Sequence, residues 1–328
     1  MHQDALLLVK GLTRQYPLPN GHRFLALDDV SLEVQPGETL GIVGESGCGK
    51  STLGRLLMGL DTPTAGTVSF QGSEWVSPTR SVPRKARTAM QMVFQDPFSS
   101  LNPRHKVGEI VREPLDIHRV GAKSERQEAV GLLMESVGLS RADATKYPHE
   151  FSGGQRQRIA IARALALKPS LLVADEPVSA LDVSIQSQIL NLLMEIRQRS
   201  GMAMVFISHD LSVVRHLCKR VAVMYFGKIV ETAPTEQLFA SPAHPYTRTL
   251  LAALPRRRSR TRGVHEGASA AIAELPDPAN PPGGCAFAPR CTHKVAICEA
   301  VAPVLGKSST DDSAGSCMVA CHLYPKLA

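Results

Sequence analysis

The sequence predicts an α/β protein with a mixed, largely parallel core sheet covered by helices, an antiparallel β-rich opening, a helical subdomain and a small Cys-rich C-terminal extension. Three observations predict it. Strand and helix patterns alternate from Ser152 onward, the strands there are apolar throughout, and a glycine loop at 44–51 joins an apolar strand to a helix. A chain of 328 residues exceeds what one hydrophobic core usually serves, so about two structural units are predicted.

The elements follow in order. Residues 5 to about 70 alternate and turn as β-structure, with strands at 6–9, 31–34 and 39–43 and a Pro36-Gly37 turn. A helix begins at about Lys50. The stretch 102–147 reads helical, because Val130, Leu133 and Val137 are spaced to share one face. Next come a helix at 159–167, a strand at 171–174 and a helix striped by Ile189, Leu192, Leu193 and Ile196. A strand at 204–207 and a hairpin from Val221 through Gly227 to Ile229 close the pattern. After about Leu254 the composition shifts to Arg, Ser, Ala and Pro, with four prolines at 276–282, so a linker leads into the cysteine-rich tail.

Composition excludes several classes. A hydrophobic fraction of 43% with 20% charged residues is that of a folded globular chain. The net charge of +7 permits contact with a polyanion, but part of the surplus is one run, Arg256, Arg257, Arg258, Arg260 and Arg262, in the linker. Basic linkers are usually solvated, and no nucleic-acid partner is predicted. There is no apolar run of about 18 residues, and Met1-His2-Gln3-Asp4 lacks the layout of a signal peptide. The chain is expected to be neither secreted nor membrane-spanning.

The chemistry concentrates at strand ends. Gly44-Glu45-Ser46-Gly47-Cys48-Gly49-Lys50-Ser51, followed by Thr52, fits a phosphate-binding loop between strand and helix. Its glycines let backbone N–H groups turn toward phosphate oxygens, and the helix N-terminus adds partial positive charge. Lys50 supplies a full charge, and the Ser51 hydroxyl is a hard oxygen suited to Mg²⁺. The strand 171–174 runs into Asp175 and Glu176, which delivers two carboxylates to the sheet's carboxyl edge. Asp175 is placed to hold Mg²⁺, and Glu176 to polarise an attacking water. Phe151-Ser152-Gly153-Gly154-Gln155 makes a second anion-binding helix tip, with Ser152 as its cap.

This last motif resembles the signature of ABC ATPases, usually written with Leu where Phe151 stands, and the remaining family pattern is present in order. In that resemblance Gln95, in Val93-Phe94-Gln95-Asp96-Pro97, matches the Q-loop glutamine that contacts Mg²⁺ and the attacking water. Asp182, in Ser179-Ala180-Leu181-Asp182, matches the loop at the dimer seam. His209 matches the histidine that contacts the γ-phosphate, and Tyr16 the aromatic that stacks on adenine. The motifs at 97–104, 175–184 and 244–247, with Gly284-Cys285-Ala286-Phe287 and Arg290-Cys291, narrow the resemblance to ATPases of bacterial dipeptide and oligopeptide importers. It implies an ATPase domain at 1–254 with its helical subdomain at about 97–165, and a linker and extension at 255–328. ATP and Mg²⁺ are the implied ligands. The implied partners are a second, related ATPase subunit completing two composite sites head to tail, two permease subunits and an extracytoplasmic peptide-binding protein. The place implied is the cytoplasmic face of the bacterial inner membrane. Related importers for nickel or glutathione, or a soluble ABC ATPase outside transport, are the alternatives.

Five of the seven cysteines fall in the last 44 residues. Cys285, Cys291, Cys298 and Cys321 are separated by five, six and 22 residues, wider than the knuckles of structural zinc sites. Spacing alone leaves free thiols open. The family resemblance implies a four-iron, four-sulfur cluster on these four, with Cys317 left out.

Overall fold

In the computed structural model, which describes residues 5–19, 21–80, 82, 86–254, 282–308 and 317–324, the chain opens with a long antiparallel pair, β1 (Leu7–Pro17) and β2 (Arg23–Val34). Both run further than the alternation at 6–9 and 31–34 predicts. The register shifts between Val9 and Gln15, and left-handed residues at Gly11 and Asp29 let the pair bend without ending. Then follow β3 (Thr39–Val43), α1 (Lys50–Leu57), β4 (Ala65–Phe70) and β5 (Ser73–Val76). Although β3 reads in sequence as part of the β-rich opening, it leaves that sheet. The outer sheet has the order β2-β1-β4-β5.

After β6 (Met90–Val93) the chain enters a helical subdomain of α2 (Pro97–Ser100), α3 (Val107–His118), α4 (Lys123–Ser136) and α5 (Gly153–Leu165). Its faces meet through Ile110, Val111, Val130, Met134, Val137 and Ile159, all buried. Val137 and Val130 fall on the face that their spacing predicts, and Leu133 packs against it half-buried. Burying six such side chains stabilises this subdomain by roughly 10 kcal/mol before conformational entropy is charged against it.

The remainder is β7 (Leu171–Asp175), α6 (Val183–Ser200), β8 (Ala203–Ser208), α7 (Leu211–Leu217), β9 (Arg220–Tyr225), β10 (Lys228–Pro234), α8 (Thr235–Ala240) and α9 (Pro245–Ala252). The four residues Ile189, Leu192, Leu193 and Ile196 are the buried stripe of α6. In the C-terminal segment, α10 (Ile297–Ala300), β11 (Gly306–Lys307) and β12 (Met318–Val319) follow. Among the described residues the central sheet has the order β11-β12-β10-β9-β3-β8-β7-β6. Neighbours from β6 to β9 pair parallel, and β10, β12 and β11 pair antiparallel. Every residue of β3, β7 and β8 is buried, as an apolar strand covered on both faces requires. The cysteine-rich segment does not stand apart, since Val319 and Met318 pair with Glu231 and Thr232 and extend the core sheet. The basic run at 256–262 and the prolines at 276–281 lie outside the described residues.

Register explains why the site lies where it does. Val43 pairs with Ser208, Asp175 with Ile207, and Val93 with Ala174, so four parallel strands end together. Whatever follows these strands converges on one edge, the usual ligand side of such sheets.

Candidate functional site

Residues 44–51 turn from β3 into α1. Gly44 is obligatory there, because a Cβ would collide with the Met224 carbonyl. Gly49 has φ +105°, and a Cβ on it would lie 2.5 Å from the Ala26 carbonyl. Lys50 is buried, and its ammonium donates to the Gly44 and Glu45 carbonyls at 2.9 Å each. Those bonds satisfy the charge inside the loop. Ser51 and Thr52 open the first turn of α1.

The Ser51 hydroxyl donates to Asp175 Oδ1 at 3.1 Å, joining α1 to the end of β7. Burial pushes the Asp175 carboxyl above its usual range, the Ser51 bond opposes this, and the Glu176 charge adds to it. Two hard oxygens this close, one on an underprivileged anion, fit a divalent cation well.

Glu176 stands just beyond β7 with φ +45°, a left-handed backbone rare for a side chain of this size. Its N–H donates to the Ile207 carbonyl at 2.9 Å, so β8 helps hold the conformation. Such a residue costs about 1–3 kcal/mol and persists only where its surroundings fix it. The strain aims the carboxylate: Glu176 Oε2 accepts from Gln95 Nε2 at 3.2 Å and stands 3.2 Å from His209 Nδ1. Gln95 follows β6 and His209 follows β8, so three strand ends meet on one oxygen. Glu176 is largely shielded while His209 stays exposed, leaving the cluster reachable from one side.

The helix tip of α5 is built differently. Ser152 Oγ accepts from the Gln155 N–H at 3.3 Å, and Gln155 Oε1 accepts from the Ser152 N–H at 3.0 Å, a reciprocal cap. Gly154 permits α5 to close on α6, since a Cβ there would strike Ile185. Gly153 lies against Leu181, next to Asp182 at the cap position of α6. The preceding loop is tied down by Gln186, which donates to the Val178 and Leu181 carbonyls. Ser152 and Gln155 remain exposed.

Tyr16 sits opposite Phe24 across β1 and β2. Its hydroxyl donates to Asp61 at 2.6 Å, and Arg14 both pairs with Asp61 at 2.7 Å and covers the ring at 4.4 Å. The cation over its face and the anchored hydroxyl fix the orientation of the ring. Arg14 and Asp61 escape sequence reasoning because their positions have no local pattern.

Cys285, Cys291, Cys298 and Cys321, with His293 and His322, line one small cavity. The Cys285 N–H donates to the Cys298 carbonyl at 2.7 Å, which draws two of the turns together. Burial pushes the Cys285 and Cys321 thiols up, and the neighbouring cysteines add to the shift. Cys317 is buried beside Ser308 and stays out of this cavity. Among the described residues no three His, Cys, Asp or Glu side chains are set to hold a single metal ion.

Comparison with known proteins gives a match to the family described as ABC transporter over residues 27–179. A second match, over residues 230–298, is to the oligopeptide/dipeptide transporter C-terminal region. The peptide ABC transporter ATP-binding protein y4tS of Sinorhizobium fredii is 51% identical, covering 98% of this chain and 93% of its own. The oligopeptide transport ATP-binding protein AppF of Bacillus subtilis is 47% identical over 98% of both chains. The dipeptide transport ATP-binding protein DppF of Haemophilus influenzae is 47% identical over 95% of this chain and 96% of its own. Among solved structures, the ATP-binding cassette MJ0796, a dimer bound to ADP and Pi, superposes with a TM-score of 0.63 at 31% identity, covering 70% of this chain and 98% of that one.

Proposed function

The chain belongs to the ATP-binding subunits of ABC transporters, and on that premise we propose that it hydrolyses ATP to power the uptake of di- and oligopeptides. One observation carries the chemistry: Lys50, Ser51, Asp175, Gln95, Glu176 and His209 all gather where parallel strands end together. The cargo reading is supported by relatives named for peptide, oligopeptide and dipeptide transport.

The mechanism follows from these positions. Lys50 leaves the Gly44 and Glu45 carbonyls for the β- and γ-phosphates, and loop N–H groups cradle their oxygens. Ser51, Asp175 and Gln95 are the residues that would hold Mg²⁺, which would supply charge neutralisation when bound. Glu176 orients water against the γ-phosphate and receives its proton, while Gln95 and His209 fix the carboxylate. Tyr16 stacks on the base. Ser152, Gly153, Gly154 and Gln155, together with Asp182, face the nucleotide held by a partner subunit, so each site is completed in trans.

No helix among the described residues is long and apolar enough to cross a membrane. Kinship with peptide-importer subunits supports the further partners of this reading: two permease subunits, an extracytoplasmic peptide-binding protein and a second, related ATPase, with this chain on the inner membrane's cytoplasmic face. The ATPase domain spans 1–254 and the C-terminal region 255–328. Within the latter, Cys285, Cys291, Cys298 and Cys321 are the residues that would hold a four-iron, four-sulfur cluster, to which they would supply thiolate ligands. What supports it is that all four cysteines line one small cavity. Iron and sulfide analysis of anaerobically purified protein tests the cluster, and iron-free protein would overturn it. For the cargo, the assembled transporter in vesicles should take up labelled dipeptide only with ATP. Uptake of nickel or glutathione in place of peptide would overturn that reading.

A further inference from the structure

The cysteine-lined segment touches the phosphate loop directly. Arg290 ends the turn immediately before Cys291, and its guanidinium grips the Glu45 carboxylate with two bonds, at 2.9 and 3.0 Å. The residues stand 245 positions apart, and both side chains are largely shielded, with exposures of 21% and 29%. A parallel, two-bond pairing of this kind fixes orientation as well as distance.

Glu45 is held on its other sides too. Its N–H donates to the Tyr246 hydroxyl at 2.9 Å, and its carbonyl accepts from Lys50 at 2.9 Å. Tyr246 is fully buried and packs 5.5 Å from Phe287, which also stands edge-on to Tyr225 at 5.4 Å. Phe287 is three residues before Arg290, so the same turn reaches Glu45 twice, once through a charge and once through a ring and a hydroxyl. The carbonyl that holds Lys50 thus belongs to the residue that Arg290 positions. The glycines of the loop and the buried strand β3 act on the turn independently of these contacts.

We propose that Arg290 is a positioning residue for nucleotide binding, acting through Glu45 to set the conformation of the phosphate loop and coupling that loop to the C-terminal segment. The inference rests on the reading of 44–51 as the ATP site. Arg290 itself touches no substrate. It selects among loop conformations, so its loss changes affinity for nucleotide more than the rate of the chemical step.

The test measures equilibrium binding of ATP with Mg²⁺ and, separately, kcat, on the full chain as wild type, Arg290→Ala, Glu45→Gln and the double variant. Each single change is expected to raise Kd about fivefold, which is ~1 kcal/mol at 1.4 kcal/mol per tenfold. The double variant should bind no more weakly than either single, and Arg290→Ala alone should keep kcat within about twofold of wild type. Should Arg290→Ala not fold, Arg290→Gln, which keeps the volume and loses the fork, replaces it in the same comparison. An unchanged Kd, a roughly 25-fold multiplicative loss in the double variant, or a fall in kcat at constant Kd would each overturn the proposal. Wild-type protein that binds no ATP would instead overturn the underlying reading.

Discussion

The chain contains two glycine-lined helix tips suited to anions, and they are furnished unequally. The loop at 44–51 is surrounded by buried strands, a lysine, a serine–carboxylate pair and a strained glutamate. The tip of α5 has its own cap, Ser152 with Gln155, and among the described residues neither a cation nor a carboxylate is bonded to those two side chains. The first resembles a nearly finished catalytic centre, and the second a half-site. Backbone N–H groups can bind a phosphate in either place, but only the first can neutralise it and deliver water to it. The difference fits the proposed assembly, in which the bare tip of one subunit closes over the furnished loop of another.

Breaking the furnished site should have the largest effect. Glu176→Gln is expected to lower kcat by 100-fold or more while leaving ATP affinity within a few fold, measured by phosphate release beside equilibrium binding. A variant with undiminished turnover would remove Glu176 from its role. Ser152→Arg, at the bare tip, should lower turnover about tenfold while binding of ATP to the same chain's loop is kept. Lost binding in that chain would place both tips in one site and erase the contrast.

A smaller effect sharpens the picture of the furnished site. Tyr16→Ala should raise the KM for ATP about three- to fivefold, with kcat little changed, since stacking contributes roughly 1 kcal/mol. Equal KM values would show that the ring held by Arg14 and Asp61 is packing alone.

The smallest effect concerns stability. Burial raises the folded-state pKa of Asp175, so the folded chain binds more protons than the unfolded one between the ordinary carboxylate value and that raised value. Stability from this group therefore falls as pH rises through that window, and at neutral pH the charge destabilises the metal-free protein. Asp175→Asn should raise the metal-free Tm at pH 7 by roughly 2 °C. A lower Tm would show that the Ser51 bond outweighs the burial.

Much of the furnished site was legible from sequence because its logic is local. A glycine loop after an apolar strand, two carboxylates after another and a cap before a helix each state their role within a few residues, and the aligned strand ends bring them together. What could not be read are pairings across long stretches of chain. Arg14 with Asp61 around Tyr16, and Arg290 with Glu45, depend on which loops the fold brings face to face. The same holds for the C-terminal segment. Its cysteines suggested an extension, but two-residue strands such as β11 and β12 are too short to leave a period, so their union with the core sheet was invisible. Length misled once more in the opening strands, where bulges at Gly11 and Asp29 interrupt the alternation that marks a strand.

The claim beneath all of this is that the site at 44–51 in one subunit works only when another subunit's α5 tip covers it. Turnover per chain against protein concentration, measured alongside sedimentation and with the second ATPase present or absent, tests it most directly. Activity per chain should fall as dilution separates the subunits and recover when they re-associate. Full-speed hydrolysis, independent of concentration, by a species that sediments as a single chain would contradict it.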